Sequence, residues 1–236
     1  MTSPAARDWL ATVTVDPGVR ALRPDYVAVV LVAEHLRGGP SDDASETLLA
    51  RAETSAGEAL GDNAPESIPH VGSWREAYRA FGAKPQRTRP SVDALLRRLG
   101  GGLPRVDRIT DAYNAVSVTH QIPLGGEDLD AYVGSARLTR ADGTEPFDTT
   151  KDSADVVEHP EVGEVVWRDD AGVTCRRWNW RQCTRTRLTT ATTRAFFVLD
   201  GLDPLGVDGT AEAADALREA LTTVSPGVVM TQRVLD

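Results

Sequence analysis

Two stretches of the 236-residue chain concentrate the side chains able to do chemistry. In the later one, 163–192, Glu164 opens a strand-like run and Asn179 stands between Trp178 and Trp180. Arg181 follows, then Thr186, Thr189, Thr190 and Thr192, with Thr193 just beyond. Aromatic walls, an amide, a guanidinium and several hydroxyls are the parts of a pocket for an amino-acid side chain, its ammonium group and a neighbouring ribose. Asn and Thr both donate and accept, which suits discrimination through buried hydrogen bonds. A plainer reading makes the tryptophans core, the arginines solvated and the threonines ordinary strand residues. If Trp178 and Trp180 alternate along a strand, only one of them faces the pocket.

The earlier stretch, 107–130, carries Asp111, Tyr113 and Asn114, then an apolar run, then Pro123, Gly125, Asp128 and Asp130. Packing periodicity alone does not explain this order. The familiar nucleophile and phosphate motifs are absent: there is no Gly-x-Ser-x-Gly elbow, P-loop or dinucleotide glycine fingerprint. Cys175 has nothing near it in sequence to activate a thiolate and reads as a small buried hydrophobe. His120, inside the earlier motif, reads as a structural histidine. The four histidines are scattered without ligand spacing, so no metal site is expected.

The elements that must position these residues follow from composition and pattern. A hydrophobic fraction of 41% suits a buried core, and no apolar run reaches the ~18 residues of a membrane span. The first ten residues lack the apolar segment of a signal peptide. Two cysteines without a C-x-x-C pair fit a reducing cytoplasm. Net charge is −9, yet 74–108 holds nine basic residues against three acids, and 176–194 holds six arginines and no acid. Either this polarity serves a polyanion on one face, or the arginines pair with acids elsewhere.

Residues 11–15 and 25–32 read as strands, with Asp16-Pro17-Gly18 as the turn between them. Segment 41–60 reads as a helix capped by Ser41, and 73–81 as a helix with a Ser73–Glu76 capping box. Segment 91–99 reads as a helix capped by Ser91, and 107–118 as one carrying Asp111 and Asn114. Strands are expected at 133–138, 164–167, 173–178 and 195–199, and a closing helix at 211–224. Helices come first and sheet later, in one α+β unit spanning 1–236.

The order of these motifs resembles the B3/B4 editing module of the phenylalanyl-tRNA synthetase beta subunit and its small free-standing relatives. The likeness rests on Val106, Asp111, Asn114, Pro123 and a helical Asp128-x-Asp130. It extends to Trp74-Arg75, Tyr78, Phe81-Gly82, Lys84-Pro85, the Ser91, Ala94, Leu95 helix and the Trp178–Arg181 run. It covers about residues 70–200. The resemblance implies an α+β domain of layered mixed β-sheets, partly barrel-like and packed with helices. It implies hydrolysis, in trans, of the ester of mischarged tRNA, an activated bond for which positioning and dipoles suffice. No cofactor is expected, and the partner is aminoacylated tRNA rather than DNA or a membrane.

In this reading Asn114, Glu164, Asn179 and Thr186 carry the catalysis. Trp178, Trp180, Arg181, Thr189 and Thr192 bind substrate. Lys84, Arg87 and Arg89, in a basic loop broken by prolines, contact tRNA phosphates. Two departures from the module bear on specificity. Gly125 stands where the module has a histidine, and 196–199 offers no acid where the module recognises the tyrosine hydroxyl. A pocket for a different, aliphatic side chain follows. The alternatives are a non-catalytic module that binds tRNA or an amino acid, and a hydrolase of small amino-acid esters that ignores RNA.

Overall fold

The computed structural model describes residues 4–236, so Met1–Ser3, part of the N-terminal stretch read for a signal peptide, lie outside it. The first half runs α1 (Pro4–Thr12), β1 (Thr14–Val15), α2 (Pro17–Leu22), β2 (Val27–Glu34), α3 (Asp43–Leu60), α4 (Pro69–Ala80), α5 (Ser91–Leu96) and α6 (Arg108–Thr119). The second half runs β3 (Leu124–Asp128), β4 (Arg137–Arg140), β5 (Phe147–Lys151), β6 (Ala154–Glu158), β7 (Val165–Arg168), β8 (Val173–Arg176) and β9 (Arg181–Gln182). It closes with β10 (Arg194–Gly201), α7 (Gly206–Val224) and β11 (Val229–Leu235).

The class is α+β. Among the described residues the strands form a four-stranded sheet ordered β11-β2-β10-β3, a five-stranded sheet ordered β1-β4-β7-β8-β9 and a β5-β6 ribbon, none of them a closed barrel. All eight residues of β2 are buried because both of its faces are covered. Ala28, Val30 and Val32 point into a core shared with Leu138, Val165 and Trp167 of the five-stranded sheet. Val29, Leu31 and Ala33 point into a second core with Ile109 and Val116 of α6 and Leu217 and Leu221 of α7. The four-stranded sheet is therefore the middle layer, between helices and the second sheet.

Several local expectations shift. Asp16 caps α2 by accepting from the Gly18 amide at 2.9 Å, so 16–18 starts a helix instead of turning between strands. A proline at the first helical position serves either purpose. Asp42, not Ser41, caps α3, in a reciprocal box with Ser45. Helix α4 begins at Pro69, which leaves Ser73 inside it and the Ser73–Glu76 box unformed. Pro90 precedes α5, so Ser91 is its first residue and not its cap. The helical Asp128-x-Asp130 is a single 3-10 turn, Leu129–Ala131: Asp128 ends β3 and caps this turn, its carboxylate accepting from the Asp130 amide at 3.0 Å. Helix α1, the β5-β6 ribbon and β11 have no counterpart in the sequence reading. Strand β11 pairs with β2 from the far end of the chain, Met230 opposite Ala33, so the four-stranded sheet joins both ends of the sequence.

Candidate functional site

Side-chain alternation on β10 builds the floor of the site. Phe196, Val198 and Asp200 share one face, and β3 sets Glu127 beside Phe196 and Gly125 beside Val198. Strand β10 is interior to its sheet, yet Val198 is half-exposed in mid-strand. That exposure faces a cavity of about 250 Å³ between the two sheets. Gly125 leaves the floor flat, since a β-carbon there would come within 3.0 Å of Gln182 Nε2. Trp167, Cys175 and Gln182 wall it from the five-stranded sheet, Tyr113 and Asn114 from α6, and Ser91 and Arg98 from α5 and the turn after it. The volume lies below the ~300–1,000 Å³ of drug-sized sites and suits an amino-acid side chain.

The tryptophan pair is placed by a strained turn, not by strand alternation. Arg177 and Trp178 have φ of 47° and 69°, left-handed values that cost ~1–3 kcal/mol per non-glycine residue. The turn is held by the Trp178 amide donating to Val165 O at 2.7 Å and the Trp180 amide donating to Arg176 O at 3.0 Å. It sends Trp178 into the core, edge-on to Trp74 and Tyr26 at 5.2 and 5.0 Å. Trp180 stays half-buried at the cavity with the Arg177 guanidinium 4.4 Å from its ring centre. Both tryptophans thus line the cavity.

Glu164 serves this turn and does not line the cavity. It takes two hydrogen bonds from the Arg176 guanidinium, at 2.9 and 2.8 Å, and one from the Arg177 amide at 3.1 Å. Its position at a strand start made it resemble a functional acid, but its carboxylate is consumed locally. Thr186 is fully buried, contacts Cys183 Sγ at 3.2 Å and is likewise away from the cavity. Thr192 donates to Asp128 at 2.7 Å and accepts from the Thr189 amide at 3.0 Å, so both hold the end of β3. Short hydroxyl side chains bonding nearby backbone are the common use of Thr in loops. Asp111 is also structural, accepting from the Val106 amide and from Ser45.

Asn114, Asn179, Trp178, Trp180 and Arg181 do line the cavity. Asn179 accepts from the Tyr78 hydroxyl at 2.9 Å and donates to Asp200 at 3.2 Å. Tyr26 donates to the other oxygen of Asp200 at 2.6 Å. Burial drives the Asp200 carboxyl up to about 7 against the downward pull of the Tyr26 and Asn179 bonds. Burial likewise pushes Glu127 up to about 7, opposed chiefly by its hydrogen bond from Tyr132. Glu127 Oε1 has no hydrogen-bond partner among the described residues. Burial holds the Cys175 thiol well above its usual range, so it is no nucleophile at neutral pH.

Glu127, Asp200 and Arg98 are site groups that sequence reading missed. The run 196–199 has no acid, but β10 continues to Gly201, and counting by two from Phe196 reaches Asp200. For Glu127 no such signal existed, because no strand was expected over 124–128.

The basic segments divide. Arg75, Arg97, Arg105 and Arg108 pair with acids, as do Arg176, Arg177, Arg185 and Arg194. Arg98 and Arg181 make no ion pair among the described residues, and both line the cavity, one from each segment. Lys84 and Arg87 are exposed and Arg89 half-buried, and none of the three lines it.

Residues 73–231 match the model of the B3/4 domain, and every residue lining the cavity falls inside that match. The chain belongs to the B3/4 domain family. Among solved structures, an N-terminal fragment of the phenylalanyl-tRNA synthetase beta-subunit from Pyrococcus horikoshii aligns with 95% of this B3/4 chain at 14% identity and a TM-score of 0.48. The alignment takes in 54% of that fragment, so the chain spans about half its length. No curated protein matches it. No helix among the described residues is long and apolar enough to cross a membrane.

Proposed function

We propose that this B3/4 domain hydrolyses the ester of misacylated tRNA in trans, with the aminoacyl group in the cavity between the sheets. The observation that carries the reading is a buried carboxyl poised near neutrality, Glu127, at a tryptophan-walled cavity of amino-acid size. Such a group accepts a proton from water at neutral pH without being permanently ionised. Its free Oε1 lone pairs make Glu127 the base in this scheme, while Asp200 is engaged by Tyr26 and Asn179. Glu127, on β3, lies opposite Phe196, four residues along β10 from Asp200 and so about 13 Å away at strand spacing, too far for the two acids to serve one carbonyl together.

Water attacks the ester carbonyl and gives its proton to Glu127. The bond to the ribose oxygen breaks, and that oxygen takes the proton back. Asn114 supplies an N–H donor for the carbonyl oxygen. Lys84, Arg87 and Arg89 lie on the tRNA path outside the cavity.

A panel of tRNAs, each carrying a different amino acid, tests this with purified protein. At least one is expected to be deacylated, and Glu127→Gln to lower its rate at least 100-fold. No hydrolysis above buffer across the panel refutes the enzyme reading. The binding-module reading draws on the Asn179 amide, whose bonds to Tyr78 and Asp200 leave it less free for chemistry. It requires salt-dependent tRNA binding without turnover.

A further inference from the structure

The charged groups of the cavity are sorted by depth. Asp200 is 2% exposed, in the sheet face beneath Asn179. Arg98 is exposed and Arg181 half-exposed, and both border the same cavity without an acidic partner among the described residues. Half-exposed Trp180, with Arg177 against its ring, stands at the same border.

An ionised carboxylate accepts at about four lone-pair positions, and Tyr26 and Asn179 occupy two of those on Asp200. The remaining pairs have no charged donor nearby, since Tyr26, Tyr78 and Cys175 are held neutral by burial. At the border the sign is reversed. Two guanidiniums without an acidic partner, that of Arg181 donating one bond to Thr150 O at 3.1 Å, favour phosphate, which they bind through their remaining donors, and a half-exposed indole offers a stacking face for a base.

We propose that the cavity reads its ligand by charge order, with a free α-ammonium directed inward to Asp200 and a nucleotide phosphate held outward by Arg98 and Arg181. The ligand class is an α-aminoacyl group joined to the terminal nucleotide of an RNA, with its amine unblocked. The assignment rests on the proposed function above and deepens it. N-acylated chains, such as peptidyl groups, place no cation at the inner end and are rejected.

The test uses a stable amide analogue, 3′-deoxy-3′-(L-alanylamino)adenosine 5′-phosphate, whose small side chain fits whatever the cavity prefers. Binding is followed by calorimetry. Acetylation of its amine is expected to weaken binding at least tenfold, and so is removal of its phosphate. In the Arg98→Ala, Arg181→Ala double variant the phosphate no longer matters, and in Asp200→Asn the amine no longer matters. Equal affinity for the parent, acetylated and dephosphorylated compounds overturns the proposal, and because these changes lie in the ligand, no folding defect confuses the result. Competition by intact tRNA but not by tRNA trimmed of its last three nucleotides identifies the RNA terminus as the source; equal competition by both overturns that part. Loss of deacylation with charge-ordered binding intact refutes the hydrolase alone. Deacylation without charge-ordered binding refutes this inference alone.

Discussion

Replacing Glu127 with glutamine separates stability from function in one measurement. Burial raises the Glu127 carboxyl to about 7 in the folded chain, from an ordinary 4.5. Its folded form therefore binds a proton over a pH range where the unfolded chain has released it. Stability is complete below the unfolded value and falls as pH rises from about 4.5 to 7, by ~1.4 kcal/mol per unit for this group. Across the whole window the loss is ~3 kcal/mol. Asp200, raised to about 7 from 3.8, adds a second decline of the same sign.

The Glu127→Gln substitution keeps an acceptor for the Tyr132 hydroxyl and removes the charge. At pH 8 the variant should thus be more stable than the wild type by up to ~3 kcal/mol, or ~6–12 °C in Tm for a chain of this size. At pH 4.5 the two should be close. Urea titrations of both proteins at pH 4.5, 6 and 8 read the slope directly, and deacylation is measured on the same samples. A gain in stability with a loss of rate marks a group retained for chemistry at the expense of the fold. A variant that is less stable at pH 8, or that keeps the wild-type slope, refutes the assignment of a buried, strained carboxyl.

Glu164→Gln should lower unfolding free energy by ~1–3 kcal/mol in urea, because buried Arg176 then keeps only the partly exposed Glu158 as its acidic partner, at 3.0 Å. Gly126→Ala should cost ~1–3 kcal/mol by the same method, since the added carbon would sit 2.6 Å from Phe197 Cε1 on the packed face of β3. Val198→Trp, which fills the cavity from its floor, should abolish deacylation while far-ultraviolet circular dichroism stays unchanged. Deacylation persisting in that variant places the chemistry elsewhere.

Local signals in the chain proved readable where one segment carries its own reason. Helix α6 begins where expected because Asp107 accepts from the Ile109 and Thr110 amides two and three residues on. Strand β2 is recognisable because an unbroken β-branched run suits burial on both faces. The Trp-Asn-Trp-Arg run borders the cavity, although a left-handed turn rather than alternation puts it there. Glu164, Thr186, Thr189 and Thr192 lie away from the cavity for one reason. Residue type shows what a side chain can donate or accept, and these four are already engaged by Arg176, Cys183, Asp128 and one another.

The sequence by itself determined the family, the α+β class, the positions of most helices and strands, and the two basic segments. These are properties of short windows and of motif order. Only the tertiary structure decided which charges remain free, where the cavity lies and which acids border it. Tyr26 reaches Asp200 across 174 positions, and the shift of that carboxyl depends on the burial such contacts create. Arg98 and Arg181 come from separate segments and meet at one cavity. Burial and pairing are set by neighbours distant along the chain, and those two quantities turn an ordinary Glu or Asp into a group poised near neutrality.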